Sequence, residues 1–184
     1  MAHSICPVER ARMLDNPLRS LLIRPKKLLA PHVKPGMTVL DIGCGPGFFT
    51  IHLARMVGPT GTVIAADLQT EMLALARTKL TRGGLSDRVT FHQTMPHSLN
   101  LNEPAPVDFA IAFHMVHEVP DPKALFLEVY ECMKQGGVFL VSEPKGHVSR
   151  DEYNLELEYA KAAGFVVGKE QHNRMEHQVL LVKP

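Results

Sequence analysis

The 184-residue chain is poor in cysteine, close to electrically neutral and free of long apolar runs. Its three cysteines, Cys6, Cys44 and Cys132, are too few and too widely spaced for a disulfide framework or a zinc ribbon, and they fit a reducing compartment. A formal net charge of +1 gives no general attraction to nucleic acid or anionic lipid. No apolar stretch approaches the roughly 20 residues that span a bilayer, and no signal-peptide pattern opens the chain. We therefore expect a soluble, cytoplasmic protein with no nucleic-acid partner and no membrane span.

The length and composition are those of one ordinary globular domain. Hydrophobic residues make up 45% of the chain and charged residues 21%, and a chain of this length buries a substantial core. The basic stretch RSLLIRPKKLL predicts solvated short helices joined by turns before the first strand. We therefore expect a single domain over residues 1–184, in which residues 1–36 form a helical cap or lid and residues 37–184 form the core.

Short apolar runs rich in β-branched residues alternate with helical patterns from residue 37 onward. Strands are predicted at 37–42, 61–68, 88–93, 107–113, 138–143, 165–172 and 177–184. Helices are predicted at 48–57, 70–84, 121–137 and 150–164. Thr70 and Asp121 are the expected caps of two of these helices. The alternation predicts an α/β fold with a doubly wound, seven-stranded, mostly parallel sheet and an antiparallel edge strand.

A glycine loop follows the first predicted strand, in the stretch VLDIGCGPGFFT at residues 39–50. Gly43, Gly45 and Gly47 alternate with other residues, and glycine allows a left-handed backbone and close approach of a ligand. The dinucleotide pattern G-x-G-x-x-G/A fails because Phe48 takes its third small position, and the G-K-[ST] of a phosphate-binding loop is missing. Since open α/β sheets bind ligands at the carboxyl ends of their strands, the loop predicts a ligand with a slim zwitterionic tail and a ribose.

Asp67 ends the second predicted strand and is the natural partner of this loop. A carboxylate at that place accepts hydrogen bonds from both hydroxyls of a ribose, and it repels a phosphorylated ribose. Leu68, the next residue, is placed to cover one face of a purine. The sequence therefore predicts a nucleoside-bearing ligand without a ribose phosphate.

Four motifs in order carry a resemblance to a known family: VLDIGCGPG, the acidic end of strand two, VDFAIAFHMVHEVPDP and KQGGVFLVSEP. Together they resemble the class I S-adenosylmethionine-dependent methyltransferases of the ubiquinone/menaquinone-biosynthesis-like type (methyltransferase type 11-like), over about residues 36–145. The resemblance implies a Rossmann-like methyltransferase fold. It also implies S-adenosyl-L-methionine as cofactor, S-adenosyl-L-homocysteine as product, and methyl transfer to an unidentified acceptor. The short cap predicted before the first strand favours a small or medium-sized acceptor over a macromolecule.

The resemblance also implies roles for the residues of the glycine loop. Gly43, Gly45 and Gly47 line the methionine and ribose portion of the cofactor, and Asp41 orients the loop and the ligand's ammonium. Cys44 lies inside the loop, either as a thiol that contacts the cofactor or as a small residue where bulk is not tolerated.

Further cofactor contacts are implied at three later strand ends. Asp67 holds the ribose hydroxyls beside Leu68, and the carbonyls of Ala112 and Phe113 meet the ammonium. Members of the family commonly carry an acidic residue after strand three, where this chain has Met95 and its neighbour threonine. Met95 is expected to pack against the adenine ring in place of the usual hydrogen bond.

The stretch FHMVHEV after the fourth predicted strand supplies the candidate catalytic residues His114, His117 and Glu118. His117 aligns with a histidine common in the family and either accepts a proton from the acceptor, orients it, or simply packs the start of a turn. The order H-x-x-H-E differs from the zinc-binding H-E-x-x-H, so no metal site is predicted, although His92 and His97 lie close in the topology.

The acceptor pocket is expected to involve residues 1–36, the loop after strand four and the stretch SEPKGHVSRDEY. Its polar candidates are Glu143, Lys145, His147 and Tyr153. Two alternatives stay open: a non-catalytic protein that binds S-adenosylmethionine or S-adenosylhomocysteine, and a methyltransferase linked to a metal or metalloid. The sequence predicts a small-molecule acceptor but no particular oligomeric state.

Overall fold

The computed structural model describes residues 7–10, 15–101, 106–172 and 175–184, and in it seven strands form one sheet. The strands are β1 Thr38–Ile42, β2 Thr62–Asp67, β3 Val89–Gln93, β4 Val107–Phe113, β5 Met133–Pro144, β6 Val166–His172 and β7 Glu176–Val182. Their order is β3-β2-β1-β4-β5-β7-β6. Strand β7 runs antiparallel to β5 and to β6, and the other recorded pairs are parallel. The predicted α/β fold with a mostly parallel seven-stranded sheet is confirmed.

Six helices of the described residues accompany the sheet. They are α1 Pro17–Ile23, α2 Pro25–Leu29, α3 Thr50–Val57, α4 Thr70–Arg82, α5 Pro122–Cys132 and α6 Arg150–Ala163, with single 3-10 turns at Val8–Arg10, Ser86–Arg88 and Val116–Glu118. The two short helices before β1 agree with the expectation for the basic amino-terminal stretch. Within the part of the chain that the structure describes, no helix is both long and apolar enough to cross a bilayer.

The described residues group into two compact units, one ending at Thr94 and the other starting at Met95. In the first unit, β1, β2 and β3 pair in parallel and are packed by α3 and α4. Helix α4 buries Met72, Leu73, Ala76 and Leu80, the spacing of one helical face. The amino-terminal segment joins this unit through an ion pair from Asp15 to Lys79 on α4.

The second unit contains β4 to β7 with helices α5 and α6, which pack against each other. Strand β5 is apolar and buried at Phe139, Leu140 and Val141, as a strand covered on both faces should be. Aromatic rings support it: the centroids of Phe126 and Phe139 are 5.9 Å apart, and those of Phe139 and Phe165 are also 5.9 Å apart. These contacts place the core of the unit between β5 and its helices.

Helix ends are where the predictions were partly wrong. The cap of α4 is Gln69, so Thr70 is the first helical residue and not the cap. Helix α3 begins at Thr50 because the preceding residues form a turn. The cap predicted at Asp121 is confirmed, since its carboxylate accepts a hydrogen bond of 3.0 Å from Ala124 N–H.

Helix α5 ends at Cys132, not at residue 137, and β5 begins at once. The reason is a tertiary contact that the local sequence does not reveal. Gly136 has φ +75° and donates its N–H to the Lys183 carbonyl (2.8 Å), while Lys183 N–H donates to the Gly137 carbonyl (3.0 Å). Pairing with the chain's end therefore replaces the last helical turn.

Candidate functional site

The glycine loop between β1 and α3 is a tight turn stabilised by its own backbone. Gly43, Gly45 and Gly47 have φ values of 65°, 53° and 83°, a region that residues with a Cβ rarely adopt. Cys44 N–H donates to the Ala66 carbonyl at 3.0 Å, which ties the turn to β2, and Gly47 N–H donates to the Cys44 carbonyl at 3.1 Å. The alternating glycines are thus explained by backbone geometry.

Gly47 also lacks a side chain because helix α4 passes close to it. A Cβ built on Gly47 would lie 3.2 Å from Ala76 Cβ, closer than ordinary van der Waals contact, and 3.4 Å from Leu80 Cδ2. Gly47 is buried, whereas Gly43 is exposed. The third glycine of the loop therefore serves helix packing, and the first presents its backbone to solvent.

Asp67, at the carboxyl end of β2, connects the loop to the sheet. Its Oδ2 accepts Gly45 N–H at 2.8 Å and its Oδ1 accepts Gln69 N–H at 2.9 Å. The residue is 7% exposed. Burial raises the pKa of Asp67 above its ordinary value, although the backbone hydrogen bonds from Gln69 and Gly45 oppose that rise. The loop and this carboxylate form one rigid arrangement.

Asp41, on β1, is the second buried carboxyl of this unit. Its Oδ2 accepts a hydrogen bond of 2.6 Å from Thr50 Oγ1 at the start of α3. Burial, together with the charge of Asp67, raises the pKa of Asp41 to about 7, against the lowering effect of the Thr50 hydrogen bond. Near neutral pH, Asp41 is therefore poised between its protonated and ionised forms.

The thiol of Cys44 points into the core. It packs with Ala65 and Leu73, and the half-buried Val89 and Phe91 lie against the same cluster. Burial raises the pKa of the Cys44 thiol well above its ordinary value. This packing is compatible with the alternative that Cys44 is a small residue where bulk is not tolerated, and contact of its thiol with the cofactor stays a prediction.

Two predicted purine contacts lie at strand ends. Leu68 is half-buried, and its carbonyl accepts a hydrogen bond from Gln93 Nε2 at 3.4 Å. Met95 is 59% exposed and forms an isolated bridge with Ser98, whose carbonyl accepts Met95 N–H at 2.8 Å. The role of either side chain toward adenine stays a prediction.

In the second unit, β4 ends in the buried residues Ala112 and Phe113, which pair with Val141 and Ser142 of β5. The next residue, His114, has φ +59°, an uncommon conformation for a residue with a side chain. Such strain persists where surrounding contacts impose it and often accompanies functional sites.

The contacts that impose it on His114 come from β5 and β7. His114 N–H donates to the Ser142 carbonyl at 2.8 Å, and the ring Nε2 lies 2.6 Å from Glu176 Oε2. The same carboxylate oxygen accepts Ser142 Oγ at 3.1 Å, and Gln178 Nε2 donates to Ser142 Oγ at 3.2 Å. His114 therefore belongs to a four-residue polar network, which we call the His114 network.

His117 pairs with a different carboxylate, Glu143 at the end of β5. Its Nδ1 is hydrogen-bonded to Glu143 Oε2. The other oxygen, Oε1, accepts a hydrogen bond of 3.0 Å from Val116 N–H. Glu143 is fully buried. Burial alone would lower the pKa of His117, but the hydrogen bond and charge of Glu143, with the charges of Glu118 and Glu152, raise it above its ordinary value.

A second buried carboxyl, Glu156 on α6, lies within electrostatic reach of Glu143. It is 6% exposed, and its Oε2 is buried with no hydrogen-bond partner. Burial, followed by the charges of Glu143 and Glu152, raises the pKa of Glu156 to about 9, so it is protonated at neutral pH. Glu156 and Glu176 were not predictable as site residues, because nothing in a helical or strand pattern marks an acid that faces the interior.

The residues predicted to line an acceptor pocket are found in different surroundings. Tyr153 is fully buried, and its ring stacks on His177 with centroids 4.8 Å apart. His147 is exposed, and its ring lies edge-on to that of His117 at 5.7 Å. Lys145 is exposed. Among the described residues, no group of three or more His, Cys, Asp or Glu side chains is arranged to hold a metal ion.

Comparison with known proteins agrees with this geometry. The family described as "Methyltransferase domain" matches residues 33–179. The Ubiquinone/menaquinone biosynthesis C-methyltransferase UbiE of Shewanella sp. (strain W3-18-1) is 33% identical over 125 residues, which cover 66% of this chain and 49% of that protein. The chain thus spans about half the length of the curated relatives it matches.

Solved structures show the same fold. A SAM-dependent methyltransferase from Aquifex aeolicus superposes with a TM-score of 0.86 at 27% identity, covering 98% of this chain and all of that one. The [4+2]-cyclase SpnF superposes with a TM-score of 0.68 at 25% identity, covering 80% of this chain and 59% of that one. With the family match over most of its length, the chain belongs to the class I S-adenosylmethionine-dependent methyltransferases, in the UbiE-like family.

Proposed function

We propose that this chain transfers a methyl group from S-adenosylmethionine to a small-molecule acceptor and leaves S-adenosylhomocysteine. The observation that carries the proposal is the 2.8 Å hydrogen bond from Gly45 N–H to Asp67, which fixes a bare-backbone loop beside a buried carboxylate. Membership of the methyltransferase family supports the same activity. The name of the Shewanella relative, a C-methyltransferase, favours a small organic acceptor over a macromolecule.

The residues of the first unit fit an adenosyl ligand. Both oxygens of Asp67 accept backbone N–H groups, and because a carboxylate has about four acceptor positions, it would still have acceptor capacity for a ribose hydroxyl. The exposed backbone of Gly43 would meet the methionine portion. Asp41 would support the loop from inside through Thr50 rather than through contact with solvent.

The other proposed contacts rest on the sequence. Leu68 and Met95 would cover the purine, and the carbonyls of Ala112 and Phe113 would bind the ammonium. Their positions at strand ends are compatible with these roles.

S-adenosylmethionine supplies the methyl group on a sulfonium, and the departing sulfur is neutral. The protein's task is therefore to align the acceptor and to exclude water. A base is required only where the acceptor must lose a proton. We propose that His117 acts on the acceptor. His114 and Glu118, which are close to it in sequence, are the other candidate catalytic residues.

Transfer of a labelled methyl group tests the proposal. The purified chain is incubated with S-adenosylmethionine labelled in the methyl group and with panels of phenols, thiols, amines and carbon acids. We expect label in one class of product, together with an equal amount of S-adenosylhomocysteine. Heat-denatured protein is the blank, and label that appears equally in the blank would contradict the proposal.

The similarity to a cyclase favours a second candidate function, in which the chain binds the adenosyl ligand without transferring its methyl group. Saturable binding of S-adenosylhomocysteine combined with no transfer to any acceptor would select this candidate. Formation of S-adenosylhomocysteine in proportion to acceptor would exclude it.

A further inference from the structure

The surroundings of His117 show more organisation than a packing histidine requires. The ring lies on its own 3-10 turn and is hydrogen-bonded to Glu143 at the end of β5, and the charge of Glu152 on helix α6 also acts on it. The exposed His147 lies against the ring from the loop after β5. Glu118 on the turn adds another negative charge. The ionisable groups around His117 are therefore mostly acidic.

Glu143 is oriented from both of its oxygens. The Val116 N–H fixes Oε1 at 3.0 Å, which directs Oε2 to Nδ1 of His117. Because Glu143 is fully buried, water does not compete for either oxygen. A carboxylate held in this way selects the imidazole tautomer with its proton on Nδ1.

We propose that Glu143 is a positioning residue that holds the proton on His117 Nδ1, so that Nε2 is the nitrogen that accepts a proton from the methyl acceptor. The function of Nε2 rests on the proposed methyl transfer, whereas the tautomer does not. In the reaction, the acceptor's bond to hydrogen breaks and the proton moves to Nε2. The acceptor's electron pair forms the bond to the methyl carbon, the sulfur keeps the electron pair of the broken bond to carbon, and the imidazolium then releases its proton to solvent.

Glu156 has a separate part in this arrangement. Glu156 is buried within electrostatic reach of Glu143, and its pKa of about 9 keeps this carboxyl neutral near pH 7. Glu143 is the buried carboxyl that is hydrogen-bonded to the ring. This arrangement implies an acceptor that must lose a proton when it is methylated. It does not suit an acceptor whose attacking atom already has a free lone pair.

Nuclear magnetic resonance of histidine nitrogens tests the proposal without an acceptor. Protein labelled with 15N-histidine is titrated in the presence of S-adenosylhomocysteine, and His117→Asn assigns the His117 signals. In the wild type we expect the neutral ring to carry its proton on Nδ1 and to titrate above the ordinary histidine pKa of about 6.5. In Glu143→Gln we expect the pKa to fall, because burial is no longer offset, and both tautomers to be populated.

Glu156→Gln is the matched control, since it makes the same chemical change at a buried carboxyl that is already neutral. It should leave the His117 signals in place at pH 7. Glu176→Gln should move the His114 signals and leave those of His117 unchanged. A neutral His117 protonated on Nε2 in the wild type, or equal shifts in Glu143→Gln and Glu156→Gln, would overturn the proposal.

The role of Nε2 is tested with the acceptor that the labelled-methyl panel identifies. Because a base must be deprotonated to act, kcat should fall at low pH in the wild type, and Glu143→Gln should move this fall to lower pH and reduce the maximal kcat at least tenfold. The Kd for S-adenosylhomocysteine should stay the same, which separates this outcome from failure of the cofactor site. An unchanged pH profile of kcat in Glu143→Gln would refute the role of His117 Nε2 as the base.

Discussion

The N–H of Gly45 donates a hydrogen bond of 2.8 Å to Oδ2 of Asp67, so a side chain at the end of β2 holds the loop after β1. The bond forms across 22 positions of sequence. It needs the left-handed backbone at Gly45, whose φ is 53°. The position of the loop therefore depends on the position of the Asp67 carboxyl group.

Asp67→Asn should weaken the binding of S-adenosylhomocysteine by about tenfold to hundredfold, because hydrogen bonds to a charged group contribute about 1.5–3 kcal/mol. The amide retains the shape of the side chain but removes the charge and one acceptor. Isothermal titration calorimetry measures the change. Asp87→Asn, on an exposed 3-10 turn of the same unit, is the control and should bind as the wild type does. Equal affinity in both variants would remove Asp67 from the ligand site.

Asp41 should make the free energy of unfolding depend on pH. Its pKa of about 7 in the folded chain exceeds the unfolded value of 3.8, so the folded state binds the proton more tightly. Its contribution is therefore largest at low pH, decreases as pH rises toward 7, and is constant above that. Because one pKa unit corresponds to about 1.36 kcal/mol, Asp41 should account for a loss of roughly 3 kcal/mol between pH 5 and pH 8.

Urea unfolding of the wild type and Asp41→Asn at pH 5 and pH 8 isolates this contribution. The variant should lose less stability than the wild type as pH rises, since asparagine does not ionise. Asp87→Asn again serves as the exposed control. Parallel pH curves for the wild type and Asp41→Asn would show that Asp41 ionises in the folded chain as it does in the unfolded one.

Gly47→Ala should lower the free energy of unfolding by about 1–3 kcal/mol, the usual cost of a strained backbone conformation, plus the cost of the contact with Ala76 on α4. Gly84→Ala is the matched control. Gly84 also has a left-handed φ, +65°, but an added Cβ there meets nothing within 4 Å. The variant at Gly47 should therefore be less stable than the one at Gly84, and equal losses would mean that α4 does not constrain the loop.

Cys44→Ala should reduce stability by about 1 kcal/mol, because the substitution removes a buried sulfur from the cluster with Ala65 and Leu73. The affinity for S-adenosylhomocysteine should fall far less than in Asp67→Asn, since the backbone hydrogen bonds of Cys44 do not depend on its side chain. Thermal unfolding and calorimetry on the same preparation separate the two effects. A large loss of affinity at unchanged stability would restore the thiol as a ligand contact.

Much of the fold was predictable because its signals are local. Apolar runs in the sequence predict the strands. The three glycines predict the loop after β1, and the position of Asp67 at the end of β2 predicts its partner. The end of α5 was not predictable, since Gly136 leaves the helix to pair with Lys183 near the other end of the chain.

The candidate catalytic groups show the same division. His114 and His117 were identified from one short stretch, but their partners lie far away in sequence. Glu176 is 62 positions from His114, and Glu143 is 26 positions from His117. The pairing of β4 with β5 brings Glu143 to the end of β4, and the antiparallel pairing of β5 with β7 brings Glu176 to the same end of the sheet. A hint was present in the sequence, because Glu143 lies two residues after the apolar run that ends at Val141.

The most direct measurement is a calorimetric titration of the wild-type chain with S-adenosylhomocysteine and, separately, with NAD. Saturable one-site binding of S-adenosylhomocysteine and no heat from NAD is the predicted result, because the loop proposed to bind the ribose with Asp67 lacks the pyrophosphate-binding pattern. Binding of NAD instead, or of neither compound, would contradict the assignment of this loop to an adenosyl ligand.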